Sequence, residues 1–343
     1  MTARDRSLIL DWRNAPRVRT GMRNDAVVET REHAAFIESV LHDPTKKYLV
    51  YEDDKGKPQG LVNFVRIDTD TRSAEWGIYV GEQKSNGIGT AMAVAALDLA
   101  FDDLGLQRVE AEVLGVNPRS LRFHAKLGFR TTRIDIDAYF RGDRHYDVHH
   151  LVMDMDAWNS SREQLIAGEP TPSERRPIVI ASTKNWNHIL VPRVARETGR
   201  IVHWIERRDE LTKESLDQLA PDYIFLPHWS FIIPETVYDA FETVVFHMTD
   251  LPFGRGGSPL QNLIARGIYE TKITSLRCNQ ELDAGDIYLK TPLCLHGNAE
   301  DIYLRARDAI GRHIIEITTA TPTPTPQTGE ATLFKRRTPA QSE

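Results

Sequence analysis

Cysteine is nearly absent from this chain: Cys278 and Cys294 are the only two in 343 residues. They stand far from any C-x-x-C spacing, which argues against a disulfide framework or a structural zinc cluster and fits buried thiols in a reducing cytoplasm. Long apolar runs are also missing. No stretch reaches the roughly 18 residues that would span a membrane, and the opening Met1–Arg6 has no secretory apolar region. An excess of positive charge is lacking too. The formal charge is −6, whereas a general nucleic-acid binder carries a basic stripe. These absences argue against a general nucleic-acid binder, a membrane-spanning chain and a disulfide scaffold, and the expected compartment is the cytoplasm. The length admits two domains, each with its own core.

What is present divides at a polar, Pro-containing stretch. The expected organisation is a domain over residues 1–157, a linker over 158–176 and a second domain over 177–343. In the first, Lys47–Glu52, Gly60–Ile67 and Ser73–Val80 read as strands and Ala91–Leu104 as a helix. Arg108–Val113 is a strand, Pro118–Leu127 a helix, and Arg130–Asp137 with His145–Met153 a closing strand pair. Consecutive strands followed by helices predict an α+β domain with a mixed, mostly antiparallel sheet. In the second, short apolar strands at Pro177–Ser182, Ile201–Ile205, Tyr223–Pro227 and Val244–Phe246 alternate with helices at His188–Thr198, Lys213–Leu219 and Pro234–Ala240. That alternation predicts a Rossmann-like α/β domain on a parallel sheet. The Thr-Pro repeat at Thr321–Pro326 reads as extended, polyproline-like chain.

The first domain carries Gly81-Glu82-Gln83-Lys84-Ser85-Asn86-Gly87-Ile88-Gly89-Thr90 between a strand and a helix. Glycines let a backbone approach an anion, and the new helix aims free N–H groups at it. One helix and one strand later comes Asn117-Pro118-Arg119-Ser120-Leu121-Arg122-Phe123-His124-Ala125-Lys126-Leu127-Gly128-Phe129. The pair resembles the GNAT N-acetyltransferases. The resemblance implies acetyl-CoA, with its pyrophosphate on the amides of Lys84, Gly87, Ile88, Gly89 and Thr90 and its pantetheine arm near Asn117. The family commonly places a general-acid tyrosine where this chain has His124. An imidazole is able to take that role; a helix histidine packed on the sheet is the alternative. Glu75 is either a base acting through water or an exposed strand residue. Leu10-Asp11-Trp12-Arg13-Asn14-Ala15-Pro16-Arg17-Val18-Arg19, with Asn63-Phe64, is similar to the pseudaminic-acid-pathway acetyltransferases. This implies a UDP-linked 4-amino-4,6-dideoxy sugar, with Arg13, Arg17 and Arg19 either pairing with its diphosphate or forming a solvated basic turn.

The second domain carries His247, Leu251-Pro252, Arg255-Gly256 and Pro259, then Glu281-Leu282-Asp283-Ala284-Gly285-Asp286-Ile287. These resemble the folate-dependent formyltransferases. The resemblance implies N10-formyltetrahydrofolate as donor, His247 as base or imidazolium donor, Asp283 as its partner and Arg255 as a substrate contact. Family members usually carry an asparagine two residues before the histidine; here that position is Val245. Thr249, Ser258, Gln261, Asn262 and the Gly256-Gly257 amides are the candidate replacement donors. Pro227 and Trp229, at another strand end, are either a wall for the pterin or core residues. The variant segment His247–Leu263 looks like formyltransferases of nonulosonic-sugar synthesis, and Gln327–Arg337 resembles a sugar formyltransferase C-terminus.

The expected protein is a bifunctional acyltransferase for the amine of a nucleotide-linked amino sugar. The alternative keeps one domain catalytic and makes the other a sugar-nucleotide-binding or dimerisation module, so a homodimer is compatible with either. No metal ligand is expected: in Arg144–His150 strand alternation sends neighbouring side chains to opposite faces.

Overall fold

The computed structural model describes residues 5–81, 87–169 and 175–341. The chain divides into two compact units, Met1–Arg175 and Arg176–Glu343. No described helix is long and apolar enough to cross a membrane.

The first unit runs α1 (Arg6–Asn14), α2 (Pro16–Arg19), α3 (Thr30–Leu41), β1 (Lys47–Glu52), β2 (Pro58–Asp68), β3 (Ser73–Val80), α4 (Ile88–Asp98), β4 (Arg108–Leu114), α5 (Pro118–Leu127), β5 (Arg130–Arg141), β6 (Arg144–Asp154) and α6 (Met155–Ile166). The sheet order is β1-β2-β3-β4-β6-β5. Only β3 and β4 pair in parallel, as a mostly antiparallel sheet requires. Alternation sets the burial: Val109, Ala111 and Val113 of β4 point inward while Arg108, Glu110 and Glu112 point out. The β3–β4 ladder covers only Ser73–Glu75 against Arg108–Glu110. Beyond it the strands part, so the facing backbone edge of β3 from Trp76 onward has no strand partner.

Helix α4 is buried at Met92, Ala93, Ala96 and Leu97 and passes into a π-helical turn at Leu99–Asp103, so the helix expected to reach Leu104 changes its hydrogen-bonding pitch. Residues 158–166, read from sequence as linker, instead complete α6. Trp158 is 1% exposed, and its Nε1 donates to Asp98 Oδ1 at 3.0 Å. Arg162 forks onto the same carboxylate at 2.6 and 2.8 Å. Polar composition concealed a helix whose one apolar stripe docks on α4.

The second unit runs β7 (Ile178–Ala181), α7 (Leu190–Thr198), β8 (Val202–Ile205), α8 (Lys213–Leu219), β9 (Tyr223–Leu226), α9 (Glu235–Tyr238), β10 (Glu242–His247), β11 (Arg255–Gly256), α10 (Pro259–Ile264), β12 (Glu270–Arg277), β13 (Ile287–Cys294), α11 (Ala299–Ala320) and β14 (Leu333–Phe334). The large sheet has order β13-β12-β10-β9-β7-β8. Strands β8, β7, β9 and β10 are parallel, as the alternation predicts; β12 and β13 add two antiparallel strands. His247 lies opposite Thr274, and Thr274 opposite Lys290, so these three share one face. The neighbouring Thr291 bonds to His313 of α11 at 2.7 Å. Helix α11 therefore covers the face opposite His247.

The Thr-Pro segment is docked rather than free. Thr325 exchanges both backbone hydrogen bonds with Ile287. Past it, β14 pairs with β11, and Phe334, 4% exposed, packs edge-on against Phe253 with the Arg266 guanidinium 4.4 Å from its ring centre.

Candidate active sites

His247 ends β10 and is 6% exposed. Its Nδ1 lies 3.4 Å from Asp283 Oδ2, and its Nε2 lies 2.8 Å from the Gly254 carbonyl. An acceptor thus stands against each ring nitrogen. Asp283 reaches the histidine from a loop that folds back over the sheet. The fold-back needs Gly285, where an added Cβ would collide with the Arg277 carbonyl. The free amide of Gly256 donates to Asp283 Oδ2 at 2.9 Å and holds the carboxylate in place. Gly256 has φ +101°, and a Cβ there would meet the Phe334 carbonyl at 2.6 Å. The sequence-predicted pair is therefore brought together.

The C-terminal segment laces this site. Gln327 accepts from Arg255 Nε and Nη2 at 3.1 and 2.7 Å, and its own Nε2 donates to the carbonyls of Asp283 and Gly285 at 2.8 and 2.9 Å. Arg255, read as a substrate contact, spends two of its donors on this internal link. Thr332 Oγ1 accepts from the Gly254 amide at 2.7 Å. In the sequence Gln327 belongs only to a tail pattern, and nothing in that pattern marks it as a connector between the Arg255 and Asp283 loops.

Val245 pairs between Leu226 of β9 and Leu276 of β12. Most of the proposed replacement donors are committed elsewhere. Gly256 N serves Asp283, Gly257 N serves the Phe334 carbonyl, and Asn262 Nδ2 serves the carbonyls of Gly257, Ser258 and Lys335. Thr249 Oγ1 lies 3.4 Å from the Gly254 carbonyl. Ser258 Oγ accepts from the Arg337 amide at 3.1 Å, which leaves its proton to donate.

At the next strand end, β9 leads into Pro227, His228 and Trp229. Pro227 is buried and Trp229 half-buried. Three polar atoms here are buried without a partner: Asn187 Oδ1, His228 Nε2 and Trp229 Nε1. Orphaned buried groups in a strand-end crevice mark a place for a ligand, so these residues fit a heterocyclic cofactor. The sequence places Pro227, His228 and Trp229 at this strand end but does not mark Asn187, whose signal is the unsatisfied Oδ1, which only the fold reveals.

In the first unit, Lys84 lies outside the described residues. Gly87 takes φ +89° and caps α4, whose first turn holds Ile88, Gly89 and Thr90. Lys126 Nζ donates to Thr90 Oγ1 at 3.1 Å, which brings an ammonium to this helix start. Together with the unpaired edge of β3, this fits a pyrophosphate with an amide-bearing arm, the chemistry of coenzyme A. Asn117 caps α5 by accepting from Ser120 N at 3.1 Å.

The other first-unit expectations change. His124 is 4% exposed and meets Trp76, Phe123 and Phe129 edge-on at 5.7, 5.7 and 5.0 Å. Its Nδ1 donates to the Ser120 carbonyl at 2.8 Å. Burial pushes the imidazole down to about 4, partly opposed by that hydrogen bond. Burial thus favours the neutral form of this ring, which packs among the aromatic side chains of the sheet and helix. Glu75 is ion-paired to Arg66 at 2.7 Å. Arg13, Arg17 and Arg19 bond to the carbonyls of Asn24, Gly81 and Asp25. These bonds hold the arginines along the N-terminal segment, and Arg13 Nη1 and Arg19 Nε are buried without a partner.

Comparison with known proteins divides the chain in the same two places. Residues 1–130 match the acetyltransferase (GNAT) domain family, and residues 170–318 match the formyl transferase family. Over 131 residues the chain is 30% identical to the methionyl-tRNA formyltransferase of Marinobacter nauticus, covering 37% of this chain and 42% of that protein. Over 114 residues it is 28% identical to the spermidine N(1)-acetyltransferase of Vibrio cholerae, covering 33% of this chain and 66% of that protein. The structure of methionyl-tRNA formyltransferase from Clostridium thermocellum aligns with 48% identity and a TM-score of 0.47, over 48% of this chain and 74% of that one. The chain thus spans less than two thirds of the length of these two curated relatives.

Proposed function

We infer that this chain, an acyltransferase joining an acetyltransferase (GNAT) domain to a formyl transferase domain, acylates the amine of a nucleotide-linked amino sugar. The formyl transferase domain takes its acyl group from N10-formyltetrahydrofolate, and the acetyltransferase domain takes its own from acetyl-CoA. The acceptor is of the UDP-4-amino-4,6-dideoxy type used in pseudaminic-type synthesis. That assignment rests on the N-terminal and C-terminal sequence resemblances. The nucleotide-sugar reading also fits the acidic chain, which has no basic excess for a tRNA acceptor.

The observation that carries the formyl reading is His247 held between Asp283 and the Gly254 carbonyl. The folate supplies an activated formyl carbon when bound. His247 Nδ1, beside Asp283 Oδ2, takes the proton that the attacking amine sheds, while Nε2–H keeps its hydrogen bond to the Gly254 carbonyl. The tight loop at Gly254–Gly257 and the docked tail exclude water from this ring.

For the acetyl reaction the reading has a different emphasis. The start of α4 and the open edge of β3 are assigned to binding and orienting the donor, which the helix start at Gly87 and the short β3–β4 ladder support. The alternative, in which one domain only binds sugar nucleotide, is separated by supplying each donor alone with a UDP-4-amino sugar and following product by mass spectrometry. Formyl product that survives unchanged in His247→Asn, or none at all with the wild type, would sink the formyl assignment. Absence of acetyl product would reduce the first unit to a binding module.

A further inference from the structure

We propose that Glu270, Cys294 and His296 form a zinc site at the open end of the β12–β13 pair, with three protein ligands and a fourth position left to water or a small anion.

The donor set carries the proposal. Thiolate, imidazole and carboxylate are the side-chain groups that bind zinc, and here each offers one ligand atom within 4.8 Å of the other two. Zinc bonds of about 2.0–2.3 Å set tetrahedral donors roughly 3.3–3.8 Å apart. Closing the difference takes a movement of about 1 Å, which exposed side chains make by small χ rotations. Glu270 and His296 are exposed and Cys294 is half-buried, so an ion reaches the cluster from solvent. Among the described residues, no hydrogen bond or ion pair occupies the three donor atoms. One sulfur, one nitrogen and one oxygen suit a borderline ion such as zinc, whereas calcium and magnesium take oxygen ligands.

Strand geometry brings the three together. Glu270 of β12 stands directly opposite Cys294 of β13, so the two side chains leave the sheet on one face. Leu295 is 2% exposed; with Leu295 turned inward, alternation turns Cys294 and His296 outward together. The ladder continues past the strand end, because Leu295 N donates to the Tyr269 carbonyl at 2.8 Å. Arg305 of α11 donates to the Cys294 carbonyl at 3.1 Å and also to the His296 carbonyl. The Tyr269 ring stacks on the His296 imidazole, 5.0 Å between centres and 15° between planes. Backbone and imidazole are therefore held before an ion arrives, which lowers the ordering cost of binding it. The sequence alone does not reveal the site: Cys-x-His is not a usual zinc spacing, and the carboxylate comes from the neighbouring strand.

The site is separate from the acyl chemistry. Glu270 shares its face of β12 with Thr274, which lies opposite His247. Four residues of strand, roughly 13 Å, separate them, and between them Lys272 pairs with Asp250 at 2.9 Å. Zinc here ties the start of β12 to the chain that leads into α11, and an ion that binds only the folded form stabilises it.

The test titrates Co²⁺, a spectroscopic substitute for zinc, into the reduced, metal-free full chain and then displaces it with Zn²⁺. The expected result is one Co²⁺ per chain, with thiolate-to-cobalt charge-transfer absorption and the strong visible bands of a tetrahedral ion, both lost on adding Zn²⁺. Cys294→Ser should abolish the charge-transfer band. His296→Asn and Glu270→Gln should each weaken Zn²⁺ binding by at least about tenfold, the smaller loss typical even of groups that only support a ligand. Cys278→Ser is the control and should keep the band; burial, with a smaller contribution from the Asp283 charge, pushes the Cys278 thiol up to about 11. Zn²⁺ should also raise the melting temperature of the wild type and leave that of Cys294→Ser unchanged. A wild type without the charge-transfer band, or a band that persists in Cys294→Ser, overturns the proposal. Unchanged affinity in both His296→Asn and Glu270→Gln also overturns it, since the thiol would then be binding metal alone. Glu270→Gln, exposed and isosteric, keeps the test independent of any loss of folding in the cysteine variant.

Discussion

His247 and His124 stand in comparable sequence positions, each inside a motif that names a proton carrier, and they are almost equally buried at 6% and 4% exposure. Their partners differ. His247 has a carboxylate against one nitrogen and a carbonyl against the other. His124 has one carbonyl and three aromatic edges. His247 thus stands among polar groups able to exchange a proton with it, whereas burial among rings favours the neutral form of His124. A motif fixes where a histidine stands along the chain, and the neighbours supplied by distant loops decide its chemistry.

The largest expected effect lies on the side of the comparison with the carboxylate partner. His247→Asn should lower kcat for formyl transfer by about 10³, within the range that positioned acid–base groups contribute, and leave acetyl transfer unchanged. Each is measured with its own donor. Equal loss of both activities would mean that the substitution unfolds the chain, and no loss would return His247 to a structural role.

Asp283→Asn should cost about 10² in the same rate constant. The amide oxygen still accepts from Gly256 N, so the loop keeps its hydrogen bond while the ring loses its counter-charge. A melting temperature near wild type together with the lost rate separates electrostatics from loop collapse. A smaller effect follows one step further out. Gln327→Glu retains an acceptor for Arg255 but loses both donations to the carbonyls of Asp283 and Gly285. With the Asp283 loop released, kcat for formyl transfer should fall about tenfold while KM for the folate stays close to wild type. A change in KM alone would instead make Gln327 a binding residue.

The same contrast shows how far the sequence was legible. Regular elements were: β3, α5 and α8 begin and end where alternation, caps and apolar spacing place them. The pairing of His247 with Asp283 was legible because two spaced motifs converge on one family pattern. Three features were not. Helix α6 hid in polar composition, since a single stripe of Trp158, Ser161 and Leu165 is all that it buries. Strands β12 and β13 carry lysine, threonine and proline, and their apolar runs are too short to stand out. The Asn187–His228 contact and the Gln327 bridge span 41 and 72 positions of sequence, which no local pattern encodes.

The smallest effect on activity, and the sharpest on the comparison, is expected at His124. His124→Phe preserves the ring packing against Trp76 and Phe129 and removes the titrating group. Acetyl transfer should change by less than about threefold, because a ring that is neutral at pH 7 supplies no resting acid. The stability profile should change more. In the unfolded chain this imidazole takes its proton near 6.5; in the folded chain it does so only near 4. Between those values the unfolded state binds more protons. The stability present above pH 6.5 therefore declines as pH falls toward 4, by on the order of 3 kcal/mol for this one group. His124→Phe should remove that part of the acid limb, seen as a smaller drop in melting temperature from pH 7 to pH 5. The second unit keeps its own acid limb through His228 and His313, both also pushed to about 4 by burial. An acetyl rate that falls a hundredfold in His124→Phe, with an unchanged acid limb, would restore the proton-donor role and erase the distinction between the two histidines.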